Sequence, residues 1–151
     1  MTDYQKDIIT QFKTAISAIG TGTFKYVGEF PFDVQMIGNQ YPAVLVQDGD
    51  EVLSDTQRNL SVTIDYLVHC WLYENVNQSR ISAILDHQVS IVDAILDDSM
   101  LTTLGVKTNC IELVSVEKGK NQDTLDKFDV GYDSNISIRK ITFMVNFTTA
   151  R

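Results

Sequence analysis

Several residue types that mark common protein classes are scarce in this sequence. It has two cysteines, Cys70 and Cys110, and neither has a partner at x-x-Cys spacing, so it offers no disulfide framework and fits a reducing compartment. No apolar run approaches the roughly 20 residues that cross a bilayer, and residues 1–13 are polar and mixed in charge. The sequence therefore predicts neither export nor a membrane anchor.

Positive charge is scarce as well. The 12 Lys and Arg are outnumbered by 20 Asp and Glu, and the net charge is -8. A field of this sign repels phosphate backbones, and no Lys/Arg cluster supplies a local exception. We therefore expect no specific binding of nucleic acid. On the wall of a channel, the same charge would keep passing DNA from sticking.

The remaining composition is that of an ordinary globular protein. Of the 151 residues, 44% are hydrophobic and 21% are charged, and a chain of this length can bury a substantial core. One domain, residues 1–151, is the expectation.

Helical spacing occurs twice. Ile8, Phe12, Ala15 and Ile19 predict an amphipathic helix over about residues 4–19, which Gly20 ends. A second helix is predicted over about residues 77–97, and Asp98 or Ser99 is expected to cap the short turn that follows it. The apolar stripe of this second helix comprises Ile81, Ile84, Leu85, Ile91, Val92, Ile95 and Leu96.

Strand spacing is clearest over residues 59–74. One side of this predicted strand is uniformly apolar, and the other becomes aromatic at Trp71 and Tyr73. We expect that aromatic end to contact another element or another subunit. Before it, residues 42–46 predict a short buried strand that ends in a turn at Asp48-Gly49-Asp50.

Two further strands are predicted towards the end of the sequence. Residues 106–118 form one, and residues 136–147 form the other. In the latter, the apolar phase jumps by one residue at Arg139-Lys140, which predicts a β-bulge. The order of elements shows no strict βα alternation, so we predict an α+β fold: a mainly antiparallel sheet with two principal helices on one face.

The residue types that carry catalysis or bind metals lack the spacing that those functions need. His69 and Cys70 are neighbours on a predicted strand and point to opposite faces. Asp93 and Asp97 share the polar face of a predicted helix, where solvated charge belongs. The sequence has no Gly-x-Ser-x-Gly motif. We therefore predict no catalytic residue, no metal site and no cofactor, and hence a protein that is not an enzyme.

A long polar loop, residues 119–134, precedes the last predicted strand. At about fifteen residues it is longer than most loops in compact domains. It is either a flexible hairpin tip or a docking arm, and its mixed charges suit complementary contacts with a neighbour. The interface candidates, in and beside this loop and at the aromatic end of the long strand, are Trp71, Tyr73, Lys118, Lys120, Asp123, Asp126, Lys127 and Asp129.

Taken together, these patterns resemble the tail terminator, or tail completion, proteins of long-tailed bacteriophages. The resemblance covers nearly the whole chain and rests on patterned positions. They are the first helix, the strand Tyr41-Pro42-Ala43-Val44-Leu45-Val46 with its acidic Asp48-Gly49-Asp50-Glu51 continuation, the strand 59–74, the helix end Ile95-Leu96-Asp97-Asp98, the turn from Leu101 to Gly105, and a last strand after a polar loop.

The resemblance implies a structural virion protein, made in the host cytoplasm and located at the head-proximal end of the tail. Such subunits form a ring, usually a hexamer, that caps the tail tube protein, stops tube polymerisation and joins a head-completion or connector protein. DNA passes through the channel without specific binding. The alternatives are another neck or tail protein, such as a head-closure or tube subunit, or a small α+β enzyme or ligand-binding domain.

Overall fold

A computed structural model describes residues 4–20, 22–56, 61–75, 80–103, 107–119 and 136–150. Its helices and strands follow one another without βα alternation. In chain order they are α1 (Tyr4–Ser17), β1 (Tyr26–Glu29), a short 3-10 helix (Val34–Met36), β2 (Ala43–Thr56), β3 (Ser61–Asn75), α2 (Ile81–Ile95), α3 (Asp98–Thr103), β4 (Lys107–Gly119) and β5 (Ile136–Ala150).

Helix α1 forms where the spacing of apolar residues predicts it. Tyr4, Ile8, Phe12 and Ile16 recur every four residues and are all buried, so one face of the helix packs on the sheet. The Phe12 ring meets Phe143 of β5 edge-on at 5.9 Å between centroids. Gly20 follows with a φ of +38°, a left-handed conformation that favours glycine after a helix.

The described strands form one sheet in the order β1-β2-β3-β5-β4. The short β1 runs parallel to β2, and every other neighbouring pair is antiparallel. Together with the helices this confirms the predicted α+β class with a mainly antiparallel sheet. The centre of the sheet is an unbroken ladder between β3 and β5, from Ser61 opposite Ala150 to Asn75 opposite Ile136.

That unbroken ladder shows that the predicted β-bulge at Arg139-Lys140 is wrong. The apolar phase jumps because the sheet is buried on both faces, each over a different length of β5. Ile141 and Phe143 belong to the core beneath the helices, whereas Ile138 belongs to a second core on the opposite face. The register shifts lie elsewhere, including one in β4 between Leu113 and Ser115.

The predicted turn at Asp48-Gly49-Asp50 is also wrong, because β2 continues through it to Thr56. The pairing of β2 with β3 shifts register between Asp48 and Glu51 instead. At Gly49 a Cβ would come within 2.7 Å of the Leu67 carbonyl oxygen. A residue without a side chain therefore lets the irregular part of β2 stay against β3.

The second core lies between the sheet and residues 30–42, which we call the covering segment. Its apolar side chains come from the covering segment and from three strands, on the face of the sheet away from the helices. The buried members are Phe30, Val34, Ile37, Ala43, Leu45, Trp71, Tyr73 and Ile138.

Helix α2 buries only part of its apolar stripe. Ile84, Ile91 and Ile95 are buried against the sheet. The exposed apolar side chains lie beside these on the helix surface. They fall within an arc of about 80° around the helix axis when each residue is placed about 100° from the one before it. The exposed members of the stripe are Ile81 at 71%, Leu85 at 41% and Leu96 at 40%, with Val89 at 53% between them.

The turn after α2 is capped by Asp97 rather than by Asp98 or Ser99. The Asp97 Oδ1 accepts a hydrogen bond from the Ser99 backbone N–H at 2.9 Å, which is the arrangement of a helix N-cap. This backbone hydrogen bond, together with one from the Ser99 side chain, lowers the pKa of the Asp97 carboxyl. The capped helix α3 contacts both α1 and β4.

Candidate functional site

The two aromatic interface candidates lie inside the chain's own second core. Trp71 is 7% exposed and Tyr73 is 1% exposed. The Trp71 ring is stacked on Phe30 of the covering segment, with centroids 4.2 Å apart, and its Nε1 donates a hydrogen bond to Gln47 Oε1 at 2.8 Å. The aromatic end of the strand was expected to contact either another element of the chain or another subunit. The structure shows a contact with another element of the same chain.

Of the charged interface candidates, Lys118 alone lies in the part of the chain that the structure describes. Lys118 lies near the end of β4 and is exposed. Lys120, Asp123, Asp126, Lys127 and Asp129 lie outside the described residues. The docking role of residues 119–134 therefore stays a prediction.

A buried polar cluster beneath α2 was not predicted from the sequence. Glu74 of β3 is fully buried, and its Oε1 lies 2.6 Å from Nδ1 of His87 on α2. Arg139 of β5, 7% exposed, donates a hydrogen bond from Nη1 to Gln88 Oε1 at 2.9 Å. We call these four residues the polar cluster. They hold the first half of α2 against the two central strands.

Burial dominates the electrostatics of the polar cluster. It raises the pKa of the Glu74 carboxyl, although the hydrogen bond and charge of His87 and the charge of Arg139 act in the opposite direction. Among the described residues, neither Glu74 Oε2 nor Arg139 Nε has a hydrogen-bond partner. One signal was available in the sequence: Glu74 and Arg139 are charged residues at strand positions whose alternation is otherwise apolar. Their partners on α2 carried no such signal.

The two histidines cannot act together, because they lie on opposite faces of the sheet. His69 Nδ1 lies 2.8 Å from the Thr142 hydroxyl, and burial, with the nearby charge of Lys140, lowers the pKa of His69. His87 packs on the helix side, edge-on to Phe24 at 5.6 Å. Within the described part of the chain, no group of three or more His, Cys, Asp or Glu side chains is placed to hold a metal ion. Nor does that part contain a helix both long and apolar enough to cross a membrane.

A cleft lies between α1 and the β1 edge of the sheet, with a volume of about 450 Å³. Its wall includes Lys6 and Lys13 of α1, and Lys13 Nζ is paired with Glu29 Oε2 at 2.6 Å. The buried Tyr66 hydroxyl also lines it and has no hydrogen-bond partner among the described residues. Burial, with the charges of Asp48 and Glu51, raises the Tyr66 pKa, so this phenol stays neutral. Among the described residues that line this cleft there is no Ser, Cys or His, and Glu29, one of its two carboxylates, is paired with Lys13.

Exposed apolar side chains collect at the two opposite edges of the sheet. The covering segment, which follows β1 in the chain, exposes Phe32 by 83% and Met36 by 62%, and Phe32 lines the cleft at the β1 edge; we call this pair the edge knob. Helix α2 exposes part of its apolar stripe, and Leu113, on the helix face of the edge strand β4, is 41% exposed. We call this second surface, made by Ile81, Leu85, Val89, Leu96 and Leu113, the edge groove. Patches of this kind mark interaction sites more often than isolated apolar residues do.

Comparison with known proteins shows a shared fold. No protein-family model matches the sequence, and no curated protein matches it. Among solved structures, the fold is similar to that of a chain in the virion of a native gene transfer agent particle, with a TM-score of 0.53 and 9% sequence identity. The similarity covers 93% of this chain and 92% of that chain, so it extends over nearly the full length of both.

Proposed function

We propose that this chain is a structural virion protein that forms a ring, caps the end of a phage tail tube, stops tube polymerisation and provides the surface that joins the head. One observation carries the proposal: the fold is similar to that of a chain in the virion of a gene transfer agent particle, over 93% of this chain's length. The sequence features that resemble tail terminators agree with it. Two exposed apolar surfaces at opposite edges of the sheet give such a subunit the means to assemble.

The mechanism is one of binding geometry rather than chemistry. A ring built from head-to-tail contacts closes after a fixed number of subunits, usually six in the family that the sequence resembles, and closure prevents a filament. One ring face binds the tail tube protein as the next tube layer would. The other face lacks the surface that adds a further layer and binds a head-completion or connector protein instead.

The charge of the chain fits a channel through which DNA passes. With a net charge of -8, a ring of these subunits repels the phosphate backbone. DNA then moves through without specific contacts, because no cluster of cations holds it. The acidic surplus is assigned to the channel wall by this proposal, and reversing wall carboxylates to lysine should slow the passage of DNA.

Electron microscopy of the purified chain, alone and with tail tubes of the same virus, tests the proposal. A single layer bound at one end of each tube, with no further tube subunits added past it, is the expected result. Growth of stacked layers would identify a tube subunit instead. Binding to the portal side, with bare tube ends, would identify a head-closure protein.

A further inference from the structure

We propose that the edge knob of one copy of this chain docks into the edge groove of the next copy. This inference deepens the proposed function, because it names the two surfaces through which ring subunits contact one another. The occupant of the groove is a second copy of the chain. The groove receives Phe32 and Met36, the two most exposed large apolar side chains of the covering segment.

The position of the groove follows from how the helices cover the sheet. Helix α1 contacts β1 and β2 and therefore stands over one side of the sheet. Ala94 of α2 lines a cleft with α1 residues, so that side of α2 faces α1. The exposed arc with Leu85 is on the other side of α2, on the flank towards β4. Helix α3 also contacts β4, but Leu85, Val89 and Leu113 stay exposed on this flank.

The sheet register places β4 side chains on the floor of this groove. Leu113 is opposite Phe143, and Lys118 is opposite Arg139. Residues that are directly opposite in a ladder share one face, and Phe143 belongs to the core on the helix face. Leu113 and Lys118 therefore lie on the helix face, at an edge strand whose outer side is paired with no described residue.

The knob and the groove lie at opposite edges of the sheet, and this placement determines the symmetry of the contact. The order β1-β2-β3-β5-β4 puts β1, which leads into the covering segment, farthest from β4. A contact between two different surfaces of identical subunits is heterologous, and it propagates in one direction until a ring closes. A groove against a second groove would instead give a closed dimer and leave both knobs exposed.

The charges around the two surfaces support the same pairing. The open end of the groove has two exposed cations, Arg80 before α2 and Lys118 on β4. The knob lies beside two carboxylates: Glu29, which is paired with Lys13, and Asp33, whose Oδ2 accepts a hydrogen bond from the Glu29 backbone N–H at 2.7 Å. Docking brings the cations of one copy towards the carboxylates of the next. A groove-to-groove contact would bring the cations of both copies together.

The test is a mixing experiment on the full chain, read out as mass by light scattering and sedimentation. Phe32→Glu removes the knob, and Leu85→Glu removes the groove, each at an exposed position. Either variant alone should weaken self-association by at least about tenfold. A mixture of the two should form a dimer and nothing larger, since each pair of chains then has one intact knob and one intact groove. Val52→Glu, at a side chain 56% exposed and away from both surfaces, is the matched control and should assemble like the wild type.

Four results would overturn the inference. They are a wild type that stays monomeric in solution and on tubes, assembly that neither variant weakens, a loss caused by only one of the two variants, and failure of the mixture to form a dimer. A capping ring that ignores both variants would refute these surfaces and leave the proposed function intact. Oligomers that form through the knob and the groove but never bind tubes would refute the proposed function and leave these surfaces intact.

Discussion

The two sides of the sheet differ in how completely the chain covers them. On the β1 side, α1 lies on one face and the covering segment on the other, so Val44 and Leu45, adjacent residues of β2, are both fully buried. On the β4 side, Leu113 faces the helix layer and is still 41% exposed. The sheet is therefore fully covered by other elements at its β1 side and only partly covered at its β4 side.

This difference separates the residues that maintain the fold from those available for assembly. Trp71 looks like an interface residue in the sequence, yet its ring contacts Phe30 and Gln47 of its own chain. Leu85 looks like a core residue, yet it is 41% exposed. Aromatic character and apolar spacing thus identify residues that become buried, but not whether the same chain or a neighbour buries them.

The largest expected effect is on the completely covered side. Trp71→Ala removes the stack on Phe30 and the hydrogen bond to Gln47, and it should lower the free energy of unfolding by about 3–5 kcal/mol. Urea denaturation of the isolated chain measures this loss. Phe32→Ala, at a residue 83% exposed, is the matched control and should change stability by no more than about 0.5 kcal/mol. Equal effects at both positions would mean that the covering segment does not form a core with Trp71.

An intermediate effect is expected at the polar cluster, beneath the first half of α2. Because burial raises the pKa of Glu74 in the folded protein, its stabilising contribution is present at low pH and is lost as pH rises through that raised pKa. Glu74→Gln does not titrate. The variant should therefore gain stability relative to the wild type as pH rises, by at most about 1.4 kcal/mol per pH unit.

Urea titrations at a series of pH values measure this difference. Glu117→Gln, at an exposed glutamate of β4 outside the cluster, corrects for the substitution itself. A Glu74→Gln variant that instead loses stability relative to the wild type with rising pH would show that His87 and Arg139 outweigh burial.

The smallest expected effect is on the incompletely covered side. Leu113→Ala should change the free energy of unfolding of the monomer by no more than about 0.5 kcal/mol, because its side chain is already partly in water. At concentrations where the chain assembles, the same substitution should cost more, since binding of the folded state adds to stability. Thermal unfolding at low and high protein concentration separates the two cases. A loss that is large and independent of concentration would place Leu113 in the monomer's core.

Single-sided burial explains which parts of the fold could be predicted from the sequence. The four-residue spacing of α1 reflects one buried face, and so does the alternation of β3 up to about residue 69, so both elements were predicted to within a few residues. The bulge predicted within residues 136–147 was wrong because β5 is buried on both faces, each over a different length of the strand. The apolar residues therefore change from one face to the other, which is also the sequence pattern of a β-bulge. Asp48-Gly49-Asp50 misled because a glycine needed for close strand contact has the composition of a turn.

The candidate site depends on contacts that no local pattern encodes. Glu74 meets His87 across the space between a strand and a helix, and Arg139 reaches Gln88 from a strand far along the chain. The two apolar edges are distinguishable only once the strand order is known. Residues 120–135, which contain most of the charged interface candidates, lie outside the described part of the chain.

The place of β5 between β3 and β4 has a consequence for synthesis. Translation proceeds from β1 towards β5, so β3 and β4 leave the ribosome before the strand that pairs with both of them. Until Ile136–Ala150 emerges, each of these strands has an open edge towards the missing centre of the sheet. Open strand edges of this kind are prone to edge-to-edge association, and among the described strands the one that covers both of these edges is made last.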